Sequence, residues 1–118
     1  VDDNQDGAEM IAGLLSHSGH DVRVAYDASR ALAIGDTFRP EVAILDIGLP
    51  VMDGYALGRE LHARLVDAPP ILIALSGYGQ ERDKRRSEAA GFRLHLVKPI
   101  DAASLVPVLD DLLVKCAD

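Results

Sequence analysis

Side chains able to do chemistry stand at the ends of apolar runs throughout this chain. "VDDN" (1–4) holds Asp2 and Asp3, and "EVAILDIGLPVMDGY" (41–55) delivers Asp46 straight after Val42, Ala43, Ile44 and Leu45. "PILIALSG" (70–77) ends in Ser76 and Gly77, and "LHLVK" (94–98) ends in Lys98, followed by Pro99. Three carboxylates, one hydroxyl and one ammonium are therefore on offer. Brought to one place, the carboxylates repel, since a pair about 4 Å apart costs about 4 kcal/mol at an effective dielectric near 20. Lys98 supplies one compensating charge and a hard divalent cation two. Mg²⁺ (or Mn²⁺) suits an all-oxygen set better than Zn²⁺, because no Cys or His cluster accompanies these residues. A carboxylate beside such a cation, with a hydroxyl and an ammonium at hand, suits phosphoryl transfer, Asp46 acting as nucleophile and becoming an aspartyl phosphate. Gly77 leaves room for the incoming group, and Gly48 lets a backbone carbonyl turn to the metal.

Positioning these groups requires a scaffold, and the rest of the chain reads as one. The runs 41–46 and 70–76 are continuously apolar, as strands buried on both faces are, and 94–98 is a shorter run of the same kind. "DVRVAY" (21–26) alternates Val22, Val24 and Tyr26, which predicts a further strand. Between the runs lie helical spacings: Ala8, Ile11, Ala12 and Leu15; Ala28, Ala31, Leu32 and Gly35; Leu57, Leu61 and Leu65. A more polar helix is expected over 80–90, stopped at Gly91. The last helix carries Leu105, Val108, Leu109, Leu112 and Cys116 on one stripe, with Asp101 as its N-cap. Pro107 either delays that helix or bends it.

Strands alternating with helices predict an α/β fold: a doubly wound parallel sheet with helices on both faces, a three-layer α/β/α arrangement. Such sheets place function outside the carboxyl ends of their strands, where the chemistry-bearing residues stand. Val1 reads as the tail of a fifth strand whose beginning precedes it, so a first strand truncated at Val1 is expected. At 118 residues the chain predicts one domain, 1–118. Nineteen acids against twelve Lys and Arg give a net charge of −7, which argues against direct nucleic-acid binding. No apolar run approaches the roughly 20 residues of a membrane span, so no membrane contact is expected. One cysteine gives no disulfide framework, and a cytoplasmic setting is expected.

The acidic pair in "VDDN", then "LDIGLPVMDG", "ALSGYG" and "LVKPID", in that order, resemble the receiver domain of bacterial two-component response regulators, from Val1 to about Leu113. The resemblance implies a flavodoxin-like (βα)5 fold with five strands in the order 2-1-3-4-5. It implies Asp46 as phosphoacceptor, Asp2, Asp3, Asp46 and the Gly48 carbonyl around the metal, Ser76 as the switch hydroxyl, and Lys98 as the conserved-type lysine, followed by a cis peptide to Pro99. The implied partner is a phosphohistidine donor, a histidine kinase or a phosphotransfer domain. Three residues before the lysine the family usually has Tyr or Phe, whereas this chain has His95. That histidine is similar to a subgroup fused to sensor kinases, and a hybrid histidine kinase is the expected parent, with kinase domains in cis.

Other readings fit fewer residues. A phosphatase of the haloacid dehalogenase kind also combines Asp, Ser or Thr, and Lys, but wants a second acid two residues after the nucleophile, where this chain has Gly48. A flavin binder on the same fold wants a hydroxyl-rich loop where "DDNQD" stands. A receiver that only docks, unphosphorylated, shares the fold but gives the acids and Lys98 no task. Among single residues, Asp53 is expected to cap the third helix, and His17, His20 and His62 to be helix or turn residues. Cys116 is expected as a small core residue, and Arg82, Lys84, Arg85 and Arg86 as a solvated or output face.

Overall fold

The computed structural model describes residues 1–49, 52–77, 89–98 and 102–116, with backbone alone for 77, 98, 102–104 and 114–116. The described elements are α1 (Gln5–His17), α2 (Ala28–Phe38), β1 (Val42–Asp46), α3 (Gly54–Arg64), β2 (Ile71–Gly77), β3 (Leu94–Lys98) and α4 (Ala102–Cys116). The strands form a parallel sheet in the order β1-β2-β3. Asp46 pairs with Leu75, Ser76 with Val97 and Gly77 with Lys98, so three strand-ends arrive at one edge in register.

Burial follows the strand period of two. Leu45, Leu72 and Ala74 join α2 and α3 in one apolar cluster with Leu32, Leu57, Leu61 and Phe92. Ile73, between Leu72 and Ala74, points the other way and packs with Leu15, Leu105, Leu109 and Leu112 from α1 and α4. Both sheet faces are thus covered, which is why β1 and β2 are apolar without alternation.

Each of the first three helices starts at a side-chain cap: Asn4 accepts from the Gly7 N–H, Asp27 from Arg30 and Asp53 from Ala56. The expected cap role of Asp53 is therefore correct. α4 begins at Ala102 and continues through Pro107, so Pro107 does not delay its start. Its buried stripe of Leu105, Leu109 and Leu112 anchors the helix on both sides of the proline. Gly91 has φ of +90°, a left-handed conformation suited to a helix stop. The helix expected over 80–90 falls largely on residues outside those described, as do the basic run 82–86, the Asp101 cap and the Lys98–Pro99 peptide.

One element departs from expectation. Residues 21–26 form no strand, and the described sheet has three strands rather than five. A strand is defined by its partner's hydrogen bonds, and among the described residues Val1 and Asp2 bond between 21–25 and β1. The Val1 ammonium donates to the Ile44 carbonyl (2.6 Å), the Asp46 N–H to the Val1 carbonyl (2.9 Å), and the Asp2 N–H to the Ala25 carbonyl (3.1 Å). Beside these contacts lies a cavity of about 360 Å³, lined by Val22, Val24, Val42 and Ile44 with Ile11 and Leu15 of α1. Alternating valines meet the requirement for packing but not the requirement for a ladder.

Candidate functional site

Asp46 closes β1 and is 7% exposed. Its Oδ1 accepts from the Gly48 N–H at 2.9 Å, which folds the chain back over the carboxylate as it leaves the strand. The next residue stays tied to the sheet, the Ile47 N–H donating to the Leu75 carbonyl at 2.9 Å. α3 then starts directly against this corner. A Cβ on Gly54 would lie 2.7 Å from the Asp46 carbonyl oxygen and 2.7 Å from the Ile47 Cα, so only glycine permits this approach.

Asp2, 4% exposed, and the exposed Asp3 precede α1. Asp2 Oδ1 accepts from the Asn4 N–H at 3.0 Å, and Asn4 in turn caps the helix. Carboxylate oxygens of Asp2, Asp3 and Asp46 lie within 4.8 Å of one another. The positive end of α1 close to the acidic pair offsets a small part of their repulsion. A hard cation held by oxygen ligands suits the remainder, and the donor set fits one: three carboxylates with no nitrogen or sulfur among them.

Ser76, 3% exposed, stands one residue beyond the Cα partner of Asp46. Its Oγ lies 2.7 Å from His95 Nε2. The register explains the contact. Ser76 is the Cα partner of Val97, and His95, two residues earlier on β3, shares that face of the sheet. Sequence reasoning singled out both residues but missed their contact, because it depends on the offset between two strands. Aligning the ends Gly77 and Lys98 is the signal that finds it. Lys98 ends β3 beside Gly77, and the Lys98 side chain lies outside the described residues.

The histidines expected to be bystanders have other partners: His20 Nε2 lies 3.1 Å from Asp110 of α4, and His62 Nε2 2.9 Å from the Pro70 carbonyl. Cys116 lies in the last turn of α4, and its side chain is outside the described residues.

Residues 1–110 match the family model described as "Response regulator receiver domain". The chain belongs to that family. The receiver domain of NtrX from Brucella abortus superposes with a TM-score of 0.85 at 32% identity, over 95% of this chain and 93% of that one. Transcriptional regulatory protein PrrA of Mycobacterium tuberculosis is 35% identical over 106 residues, covering 90% of this chain. The chain spans 45% of PrrA's length, about half. Protein PilH of Pseudomonas aeruginosa, 26% identical, is covered over 93% of its length. The fold is therefore flavodoxin-like, of the CheY kind, and the module is a regulatory one of two-component signalling, the phosphorelay that works through aspartate phosphorylation. Among the described residues no helix is long and apolar enough to cross a membrane.

Proposed function

We propose that this receiver domain takes a phosphoryl group onto Asp46 from a histidine-phosphorylated protein and uses the new charge to switch its surface. The observation that carries this reading is the acidic corner itself: a carboxylate 7% exposed, mounted on a strand end, with Asp2 and Asp3 within 4.8 Å. An Asp46 carboxylate oxygen attacks phosphorus, the P–N bond of the donor phosphoimidazole breaks, and the imidazole leaves with its electron pair. Asp2, Asp3, Asp46 and the Gly48 carbonyl would hold Mg²⁺ or Mn²⁺, which would supply charge neutralisation for the transferring group. Ser76 and Lys98 donate to the phosphoryl oxygens, and Gly77 leaves them room. No outside substrate is turned over, so the domain is not an enzyme in its own right.

The phosphoryl group adds about −1.5 to −2 charge at neutral pH. Moving a two-state surface from 1:99 to 99:1 takes about 5.5 kcal/mol of differential stabilisation. Hydrogen bonds to charged groups contribute about 1.5–3 kcal/mol each, so two or three donors reach that figure. The donor is a histidine kinase or phosphotransfer domain. His95, similar to kinase-fused receivers, favours a hybrid histidine kinase as the parent. Such donors are charged from ATP, which sets the relay in the cytoplasm.

Acetyl phosphate with Mg²⁺ is the test, read by intact mass beside Asp46→Asn. The expected result is one phosphoryl adduct, absent from the variant and absent when the metal is chelated. A well-folded protein that takes up no phosphoryl group is not a phosphoswitch.

A further inference from the structure

The Ser76–His95 contact has no part in the reading above, where Ser76 serves the phosphoryl group alone. Its geometry restricts what the hydroxyl can do. Ser76 is 3% exposed, and a buried hydroxyl takes a hydrogen-bond partner, here His95. At 2.7 Å, the Oγ–Nε2 separation is that of a hydrogen bond, whose direction is set by the tautomer of the ring. With the ring proton on Nδ1, Ser76 O–H donates and His95 Nε2 accepts.

A serine hydroxyl has one proton. Given to His95, it cannot at the same moment go to an oxygen on Asp46, whose strand lies next to that of Ser76. We propose that His95 is a positioning residue that holds the Ser76 hydroxyl in the unphosphorylated protein, and that the phosphoryl group on Asp46 takes the hydroxyl from it. Phosphorylation then has a defined product one strand further on: the hydrogen bond between β2 and β3 is broken and the imidazole is released from Ser76. An imidazole is suited to this exchange because Nε2 accepts a hydrogen bond. A phenylalanine ring at the same place offers no comparable acceptor, and a tyrosine has only the distant phenol oxygen. The inference rests on Asp46 as phosphoacceptor.

The experiment is ¹⁵N spectroscopy of the histidine rings, with the His95 signals assigned by their loss in His95→Phe. It is run at mildly alkaline pH, where an ordinary imidazole is neutral and titration plays no part. The unphosphorylated protein is expected to show His95 protonated on Nδ1, with Nε2 shielded by the hydrogen bond it accepts. Acetyl phosphate and Mg²⁺ are expected to move Nε2 to the position it already occupies in Ser76→Ala, in step with the mass gain, while Ser76→Ala itself barely changes on phosphorylation. Freed from its competitor, the hydroxyl of His95→Phe is expected to raise the rate of phosphoryl uptake about fivefold, the worth of one net hydrogen bond. A His95 signal identical in wild type and Ser76→Ala overturns the proposal without any phosphodonor. So does a stoichiometric adduct that leaves His95 unmoved, and in that case Asp46 as phosphoacceptor stands. If no adduct forms, both fall together.

Discussion

Asp46 lies under nearly complete cover, 7% exposed and within 4.8 Å of carboxylate oxygens from Asp2 and Asp3. Charges of one sign packed this closely strain the folded state more than the unfolded chain, where they disperse. Asp46→Asn removes one of the three while its amide oxygen still accepts from Gly48. Without divalent cations this variant is therefore expected to be more stable than the wild type, by on the order of 1 kcal/mol in urea unfolding. Added Mg²⁺ stabilises whatever folded state binds it, so it is expected to raise the melting temperature of the wild type and to raise that of the variant much less. A variant less stable than the wild type in chelator would mean that Asp46 contributes to the fold rather than straining it. That Asp2, Asp3 and Asp46 come together was legible in the sequence, because each stands at the end of a run that reads as a strand of one parallel sheet. The partner of Ser76 was not legible. Sequence spacing does not reveal that residues 76 and 95 face each other across two strands.

At the scale of elements, the site depends on how closely α3 approaches the end of β1. Gly54 begins that helix against the Asp46 carbonyl, and an added methyl would meet backbone atoms at 2.7 Å, which cannot rotate away. Gly54→Ala is expected to cost about 1–3 kcal/mol, as overpacking does, and to slow uptake of acetyl phosphate because the atoms displaced belong to the Asp46 peptide. Gly13→Ala on α1, where an added Cβ meets nothing within 4 Å, is the matching control and is expected to stabilise by about 0.5–1 kcal/mol. Equal effects at the two glycines would show that the corner is not tight. Helix identity was readable from period and caps, and Asp53 was placed correctly from chemistry alone. Pro107 was not resolved, since local propensity disfavours proline inside a helix and only the packing of Leu105, Leu109 and Leu112 outweighs it.

The whole molecule is organised around one sheet with an apolar cluster on each face, joined through β2, where Leu72 and Ala74 serve one side and Ile73 the other. Shared strands predict shared fate. Leu57→Ala in one cluster (0% exposed) and Leu105→Ala in the other (2% exposed) are each expected to lower the stability of a single cooperative transition by about 2–5 kcal/mol. Two separable transitions would contradict that coupling. The layered α/β arrangement was legible because uninterrupted apolar runs are the mark of strands covered on both sides. The expected strand at 21–26 is not among the described strands, although Val22 and Val24 keep the alternating pattern.

The bond from the Gly48 amide to Asp46 Oδ1 has one more consequence. A carboxylate in water has two interchangeable oxygens, but here the Gly48 amide singles out Oδ1 with a backbone dipole that draws electron density from it. In the proposed phosphotransfer Oδ2 would then be the better nucleophile, with Oδ1 kept as the acyl carbonyl on its amide partner. The carboxylate thus has a front and a back, and the proposed donor would be received on the side of Oδ2.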